Sequence, residues 1–187
     1  MHPYIFGGLI LLWILWLLPF LLGSRRRSGG KAVITAPRAR WGIALQVVAY
    51  ALVFGFQRFW TQPLRWWLII PAFAFGLLAV ACSWASVPAL GKQWRVDAGL
   101  NADHELVKSG PYRIVRHPIY ASMFGMFLAA GLLLTWRPIL PIAFAIFIVG
   151  IEIRVRTEDE LLRSRFHEEF DAWKKSVPAY IPFVRRS

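Results

Sequence analysis

The sequence predicts an all-α integral membrane protein of about five transmembrane helices. Three observations carry this. Of 187 residues 57% are hydrophobic and only 17% charged, against roughly 45–50% and 25% in an ordinary soluble domain. The apolar residues fall in runs close to the ~20 residues that cross a bilayer. The formal charge of +12, from 22 Lys plus Arg against 10 Asp plus Glu, sits between those runs. A nucleic-acid binder instead gathers its cations on one face of a soluble fold, so no nucleic-acid partner is expected. A mean hydropathy of +0.49 excludes a disordered chain. The single cysteine, Cys82, rules out an intrachain disulfide and a Cys-based zinc site.

The first run, Ile5–Leu22, carries no charge. Basic residues follow it instead of preceding it and no small-residue cleavage site closes it, so it reads as a retained span and not a secretory signal. Trp41–Phe56 is the second span, and Trp66–Leu90 the third, long enough to tilt. Ile119–Trp136 and Pro138–Ile151 make the fourth and fifth, joined through Trp136-Arg137-Pro138, a link short enough to force an antiparallel hairpin. With only Gly150 intervening between Pro141 and Val177, the fifth span is expected to continue as one helix into the polar segment that follows.

Cations orient the spans. Six lie between spans one and two, five between three and four and eight in the tail, all on one side; Arg58, Arg65 and Arg137 alone lie on the other. The amino terminus is therefore expected outside and the carboxyl terminus in the cytoplasm, in a prokaryotic cytoplasmic membrane. Trp60, Trp66, Trp67 and Trp136 fall at outer span ends, and Trp41, Trp94 and Trp173 near the inner side, where an aromatic belt sits.

All ten acids lie beyond Gly91, as do three of the four histidines. Residues 1–90 therefore read as a three-span scaffold and 91–187 as the catalytic half of one structural domain. Two segments stand out there. Gly91–Pro118 is a 28-residue connection with Gly and Pro punctuation that still carries Trp94, Leu106, Val107, Tyr112 and Ile114; connections of this length are usually functional or disordered, and the apolar content favours function. In 152–173, Leu161, Leu162, Phe166, Phe170 and Trp173 form one helical stripe. Arg154 with Glu158, Asp159 with Arg163 and Asp171 with Lys175 stand four apart as opposite charges, each worth about 0.2–0.5 kcal/mol. Arg154 and Glu158 follow span five, while Arg116 and His117 precede span four. Ionisable groups at that depth usually face a cavity or a partner, and the two clusters are placed to close on one polar ligand. No metal is expected: there is no His-Glu-x-x-His, and no histidine stands four residues from another histidine or a cysteine. Walker, GxGxxG and GxSxG motifs are absent.

His104–Tyr120, H-E-L-V-K-S-G-P-Y-R-I-V-R-H-P-I-Y, followed by Arg154–Phe170, R-V-R-T-E-D-E-L-L-R-S-R-F-H-E-E-F, and a closing V-P-A-Y-I-P-F resemble the membrane methyltransferase family that includes isoprenylcysteine carboxyl methyltransferases and phospholipid methyltransferases. The resemblance covers about half the chain, Gly91 to Phe183. It implies a cytoplasmic S-adenosyl-L-methionine cofactor pocket formed by the loop before span four and the C-terminal helix and built from His104, Leu106, Val107, Tyr112, His117, Pro118, Tyr120 and Glu158, with Arg154 facing the methyl acceptor. Under it Glu158 takes the cofactor ammonium, His117 or backbone N–H groups its carboxylate, and Leu106, Val107 and Tyr112 the adenine. The chain departs from the pattern at Asp159, where a second Glu is usual, at His167, where Gly is usual, and at Ser122, where Gly is frequent. The implied function is methyl transfer to a lipophilic acceptor, an isoprenylcysteine-like carboxylate or lipid. The alternatives are an NADPH-dependent membrane reductase of related architecture and a non-enzymatic membrane subunit that grips anionic lipid.

Overall fold

A computed structural model describes residues 3–25, 34–57, 65–95, 98–100 and 104–182. Arg26, Arg27, Lys31, Arg58, Trp60, Asp97, Asp103, Phe183, Arg185 and Arg186, used above to orient the chain, count its acids or match its terminus, lie outside the described residues. Five helices dominate: α1 (Pro3–Arg25), α2 (Ala39–Gly55), α3 (Trp66–Leu90), α4 (Pro118–Leu134) and α5 (Ile139–Ser176). Each begins within a few residues of a span expected from the apolar runs. Pro3–Gly23 in α1 and Trp66–Gln93, which is α3 with the short turn that follows it, are long and apolar enough to cross a membrane. At 1.5 Å per residue the 17 residues of α2 and of α4 reach about 26 Å, slightly short of a ~30 Å hydrocarbon core.

Two helix pairs build the body, α3 against α4 and α2 against α5. The second pair is set by missing side chains. A Cβ on Gly42 would lie 2.6 Å from the Gly150 carbonyl oxygen, and one on Gly150 would lie 2.8 Å from that of Gly42. Only hydrogens at both positions let the backbones touch, and this close crossing carries Gln46 up to Arg154. Between the pairs, Phe127 stacks on Phe147 with ring centroids 4.2 Å apart, and Tyr50 packs edge-on against both. At the far end, the Trp136 N–H donates to the Phe56 carbonyl at 2.8 Å, tying the α4–α5 turn to the end of α2.

The connection from Gly91 to Pro118 is anchored throughout its described part. A 3-10 turn at Gly91–Gln93 closes α3, a second lies at Gly110–Arg113, and β2 (Gly99–Leu100) pairs antiparallel with β1 (Ile34–Thr35). The first basic loop is thus tied to the segment expected to carry function.

One expectation needs correction. The chain from Ile139 to Ser176 is not one continuous helix, because His167 has φ 44° and ψ −119°. The contacts across this break show the two arms folding towards each other. Lys174 Nζ lies 3.4 Å from Asp159 Oδ2, although fifteen residues of straight helix would separate them by about 22 Å. Arg163 pairs with Asp171 at 3.1 Å across the same break, and this replaces the expected pairs of Asp159 with Arg163 and of Asp171 with Lys175. The reversal lets Phe170 and Trp173 pack on Tyr112, with Leu162 and Phe166 beside them. A φ of this sign favours glycine, the residue usual here in the resembled family. A non-glycine residue held so costs about 1–3 kcal/mol, partly offset by the 0.5–1 kcal/mol entropic cost of glycine. His167→Gly is therefore expected to stabilise the chain by about 1 kcal/mol and His167→Val to destabilise it, read as shifts in thermal unfolding in detergent.

Candidate active site

The site starts from the start of α4. Pro118 occupies the first helical position, where its missing N–H costs nothing, and leaves Arg116 and His117 outside the helix just ahead of it. The chain end pairs with that stretch: the Arg116 and His117 N–H groups donate to the carbonyls of Pro178 and Ala179, both at 2.8 Å. The Arg116 guanidinium donates to the Lys174 and Val177 carbonyls. Tyr180, also buried, donates its hydroxyl to Glu152 at 2.6 Å. The closing V-P-A-Y thus staples the pocket loop to α5.

Asp159 is the centre of the charge cluster. Its Oδ2 takes Arg116 Nη2 at 3.0 Å and Lys174 Nζ at 3.4 Å, and its Oδ1 faces His117 Nε2 at 2.9 Å. The other ring nitrogen of His117 lies 3.4 Å from Glu158 Oε2, whose Oε1 accepts from the Tyr120 hydroxyl. Burial by itself would favour neutral His117, but hydrogen bonds to Asp159 and Glu158 and their charges outweigh it and raise its pKa to about 9. Burial likewise opposes ionisation of Asp159, and His117 with Arg116 reverses that, holding it at about 2. Glu158 is lowered for the same reasons, chiefly by His117, with Arg154 adding its charge. The site at neutral pH is an imidazolium held between two carboxylates.

Arg154, 8% exposed, packs on Tyr120. Its guanidinium carbon stands 4.8 Å over the Tyr120 ring, and Nη1 donates to Gln46 Oε1 at 3.2 Å. His117 thus faces one carboxylate oxygen of Glu158, and the Tyr120 hydroxyl the other.

These groups wall a cavity of about 460 Å³, within the range of small-molecule sites. His104, Leu106, Val107, Tyr112, His117, Tyr120, Arg154 and Glu158 all line it. Pro118 does not: it is fully buried and its carbonyl accepts from the Cys82 thiol, so it shapes the wall without reaching the lumen. Ser122 also lies outside the lining and accepts a 3.1 Å hydrogen bond from the Trp16 indole.

Several lining residues were not legible in the sequence. Trp16, Leu17, Phe20 and Leu21 of α1 form an apolar wall, so the expected scaffold half contributes to the cavity. Gln93 of the 3-10 turn after α3, Leu100, and Leu161, Leu162 and Trp173 of α5 also line it. The α5 stripe was a usable signal for the last three. Nothing in the pattern of α1 distinguished its cavity face from its lipid face.

Residues 72–164 match the isoprenylcysteine carboxyl methyltransferase family. The chain belongs to this family. Among its relatives, a nickel-cobalt-cadmium resistance protein of Alcaligenes xylosoxydans xylosoxydans is 30% identical over 146 residues, 76% of this chain and 62% of the relative. The protein-S-isoprenylcysteine O-methyltransferase of Saccharomyces cerevisiae is 34% identical over 87 residues, 44% of this chain and 35% of the relative. That of Homo sapiens is 36% identical over 84 residues, 44% of this chain and 29% of the relative. The chain thus spans about three-fifths of the metal-resistance relative and about a third of the two methyltransferases. Within the family match fall the pocket loop, α4 and the arm of α5 bearing Arg154, Glu158 and Asp159, whereas the α1 wall and Gln46 lie outside it.

Proposed function

We propose that this isoprenylcysteine carboxyl methyltransferase family member is an integral membrane, S-adenosylmethionine-dependent methyltransferase acting on a lipophilic carboxylate. The observation that carries the proposal is a single cavity holding an ionised acid, Glu158, an apolar slot of Leu106, Val107 and Tyr112, and a buried guanidinium, Arg154. The donor set fits the cofactor. Buried atoms in this wall, the Tyr112 hydroxyl, the Trp173 indole N–H and the Gln93 amide, have no hydrogen-bond partner among the described residues, and a polar ligand supplies what they lack.

The cofactor, when bound, brings a methyl group already activated on a sulfonium, so the work of the protein is to place two partners in line and exclude water. Glu158 holds the ammonium end. His117, with both ring nitrogens facing carboxylates, fixes the rotamer of Glu158. Arg154 offers a planar pair of N–H donors to the acceptor. A carboxylate, with a reference pKa near ~3.5, is ionised and nucleophilic at neutral pH, so no general base is required. An amine acceptor would need deprotonation and gains nothing from a nearby guanidinium.

Leu17 and Leu21 line the cavity yet are 42% and 62% exposed. They frame an opening in the apolar belt, through which a lipid-borne acceptor enters laterally while the cofactor enters from the cytoplasm. With five spans, the distribution of Lys and Arg supports a carboxyl terminus inside and an amino terminus outside. Since a relative named for metal resistance matches more of the chain than those named for isoprenylcysteine, the acceptor is assigned by chemistry as a lipophilic carboxylate and not as a prenylated protein.

The test is binding of S-adenosylmethionine and of NADPH to the detergent-purified chain, followed by labelled methyl transfer into a lipid extract. Binding of NADPH alone would establish the reductase, and binding of neither the non-enzymatic subunit. Loss of a hydrogen bond to a charged group costs about 1.5–3 kcal/mol, so Glu158→Gln is expected to weaken S-adenosylmethionine binding by roughly 10–100-fold. His117→Ala is expected to weaken it less, by releasing the carboxylate. Unchanged affinity in both variants would sink the proposed pocket.

A further inference from the structure

We propose that Gln93 reads the purine edge of the cofactor, an inference that rests on the cofactor assignment above and adds the residue that selects its base. Gln93 ends the 3-10 turn that closes α3 and is 5% exposed. Both its amide atoms, Oε1 and Nε2, are buried without a hydrogen-bond partner among the described residues. A native fold rarely leaves a donor and an acceptor of one side chain both unmet, because each forfeits its bonds to water. Gln93 lines the cavity, so a bound ligand is placed to meet them.

The surroundings narrow the ligand's chemistry. Leu90, one turn before Gln93, packs into the cluster of Tyr112, Leu106, Val107, Leu162 and Trp173, all but Leu90 itself belonging to the helices and loop that face it across the slot. This is an apolar slot beside a primary amide. An anion would satisfy the amide N–H and leave the carbonyl unmet; a cation would do the reverse. A flat heterocycle with a donor beside an acceptor on one edge satisfies both atoms and presents its faces to the apolar walls. Adenine has this edge in its 6-amino group beside a ring nitrogen, and a glutamine amide pairs with it through two hydrogen bonds. The position follows from chain geometry. The turn after α3 aims residue 93 at the slot, while Glu158 on α5 stands elsewhere on the same wall for the amino-acid end of the ligand.

The prediction is read by calorimetric titration of the full chain in detergent with S-adenosylhomocysteine and with its analogue in which hydrogen replaces the 6-amino group. A site built to pair with a group rejects a ligand that lacks it, so the wild type is expected to bind the adenine compound at least about 10-fold more tightly. Gln93→Leu, similar in size and leaving no buried polar atom, is expected to lose that preference to within about twofold while its unfolding temperature without ligand does not fall. Equal binding of the two compounds by the wild type would overturn the role of Gln93, whether or not the variant folds. So would a Gln93→Leu chain that keeps the wild-type preference. Wild type that binds neither compound removes the cofactor assignment itself, and Gln93's role with it, which separates the two failures.

Discussion

Arg154→Ala is expected to lower methyl transfer by about 100-fold or more, the scale on which misplacing one partner of an oriented reaction acts, with affinity for S-adenosylmethionine within about threefold of wild type. Arg154 stands over the Tyr120 ring and is held from the α2 side by Gln46, whereas Glu158 meets His117 and the Tyr120 hydroxyl, so under the proposed function the fork of donors on Arg154 is assigned to the acceptor. Alanine also removes packing, since the Arg154 stem fills the space over Gly42: a Cβ there would lie 2.5 Å from Arg154 Cγ. Arg154→Lys separates the two effects. It keeps the stem and the charge but loses the planar pair of N–H groups, so most of the loss in transfer is expected to persist with stability near wild type. Equal loss of cofactor binding and transfer in both variants would reassign Arg154 to the cofactor.

Asp159→Ala is expected to destabilise the chain by about 3–5 kcal/mol, the cost of leaving buried charge without its partner. The carboxylate faces Arg116, His117 and Lys174, and both Arg116 and His117 are almost inaccessible. Its removal leaves cations crowded at the root of α4 and frees the chain end that Arg116 holds through the Lys174 and Val177 carbonyls. Asp159→Asn, which keeps the shape, isolates the charge.

The same cluster sets a pH dependence for the wild type. His117 is raised from 6.5 to about 9, so its contribution is complete below pH 6.5 and is lost as pH rises through 9. Asp159 is lowered from 3.8 to about 2, so its contribution is present above pH 3.8 and is lost as pH falls towards 2. Thermal unfolding is therefore expected to be most resistant between about pH 4 and 6.5 and to weaken on the alkaline side first. In Asp159→Asn the alkaline fall moves to lower pH, because His117 loses the carboxylate charge that faces its Nε2 at 2.9 Å. A profile flat from pH 6 to 9.5 would show that His117 is not held as an imidazolium.

The departures from the family pattern acquire different meanings in three dimensions. Asp159 is shorter than the usual Glu, yet each of its oxygens meets a cation at 2.9–3.0 Å; the chain reversal at His167 adds Lys174. Ser122 is engaged by the Trp16 indole and so ties α1 to α4 at the edge of the cavity. His167 is the one position where the substituted residue works against the backbone it must adopt.

The number of helices, their order and nearly all their ends were legible in the sequence, because they depend on the length of an apolar run and on the Pro and Gly that bound it. The grouping of His117, Glu158 and Arg154 was legible too, since two motifs at fixed distances from their spans place them at one depth. Which acid carries the fold was not. Glu158 and Asp159 are neighbours with similar chemistry, and only the direction each faces makes one a wall of the cavity and the other a buried tie. The return of α5, the pairing of Pro178 and Ala179 with Arg116 and His117, the α1 wall and the unmet amide of Gln93 were decided by the tertiary structure alone. Each is a contact between residues far apart in the chain, whose energy arises from shape and from water excluded at the meeting point, and neither quantity is written in the local order of residues.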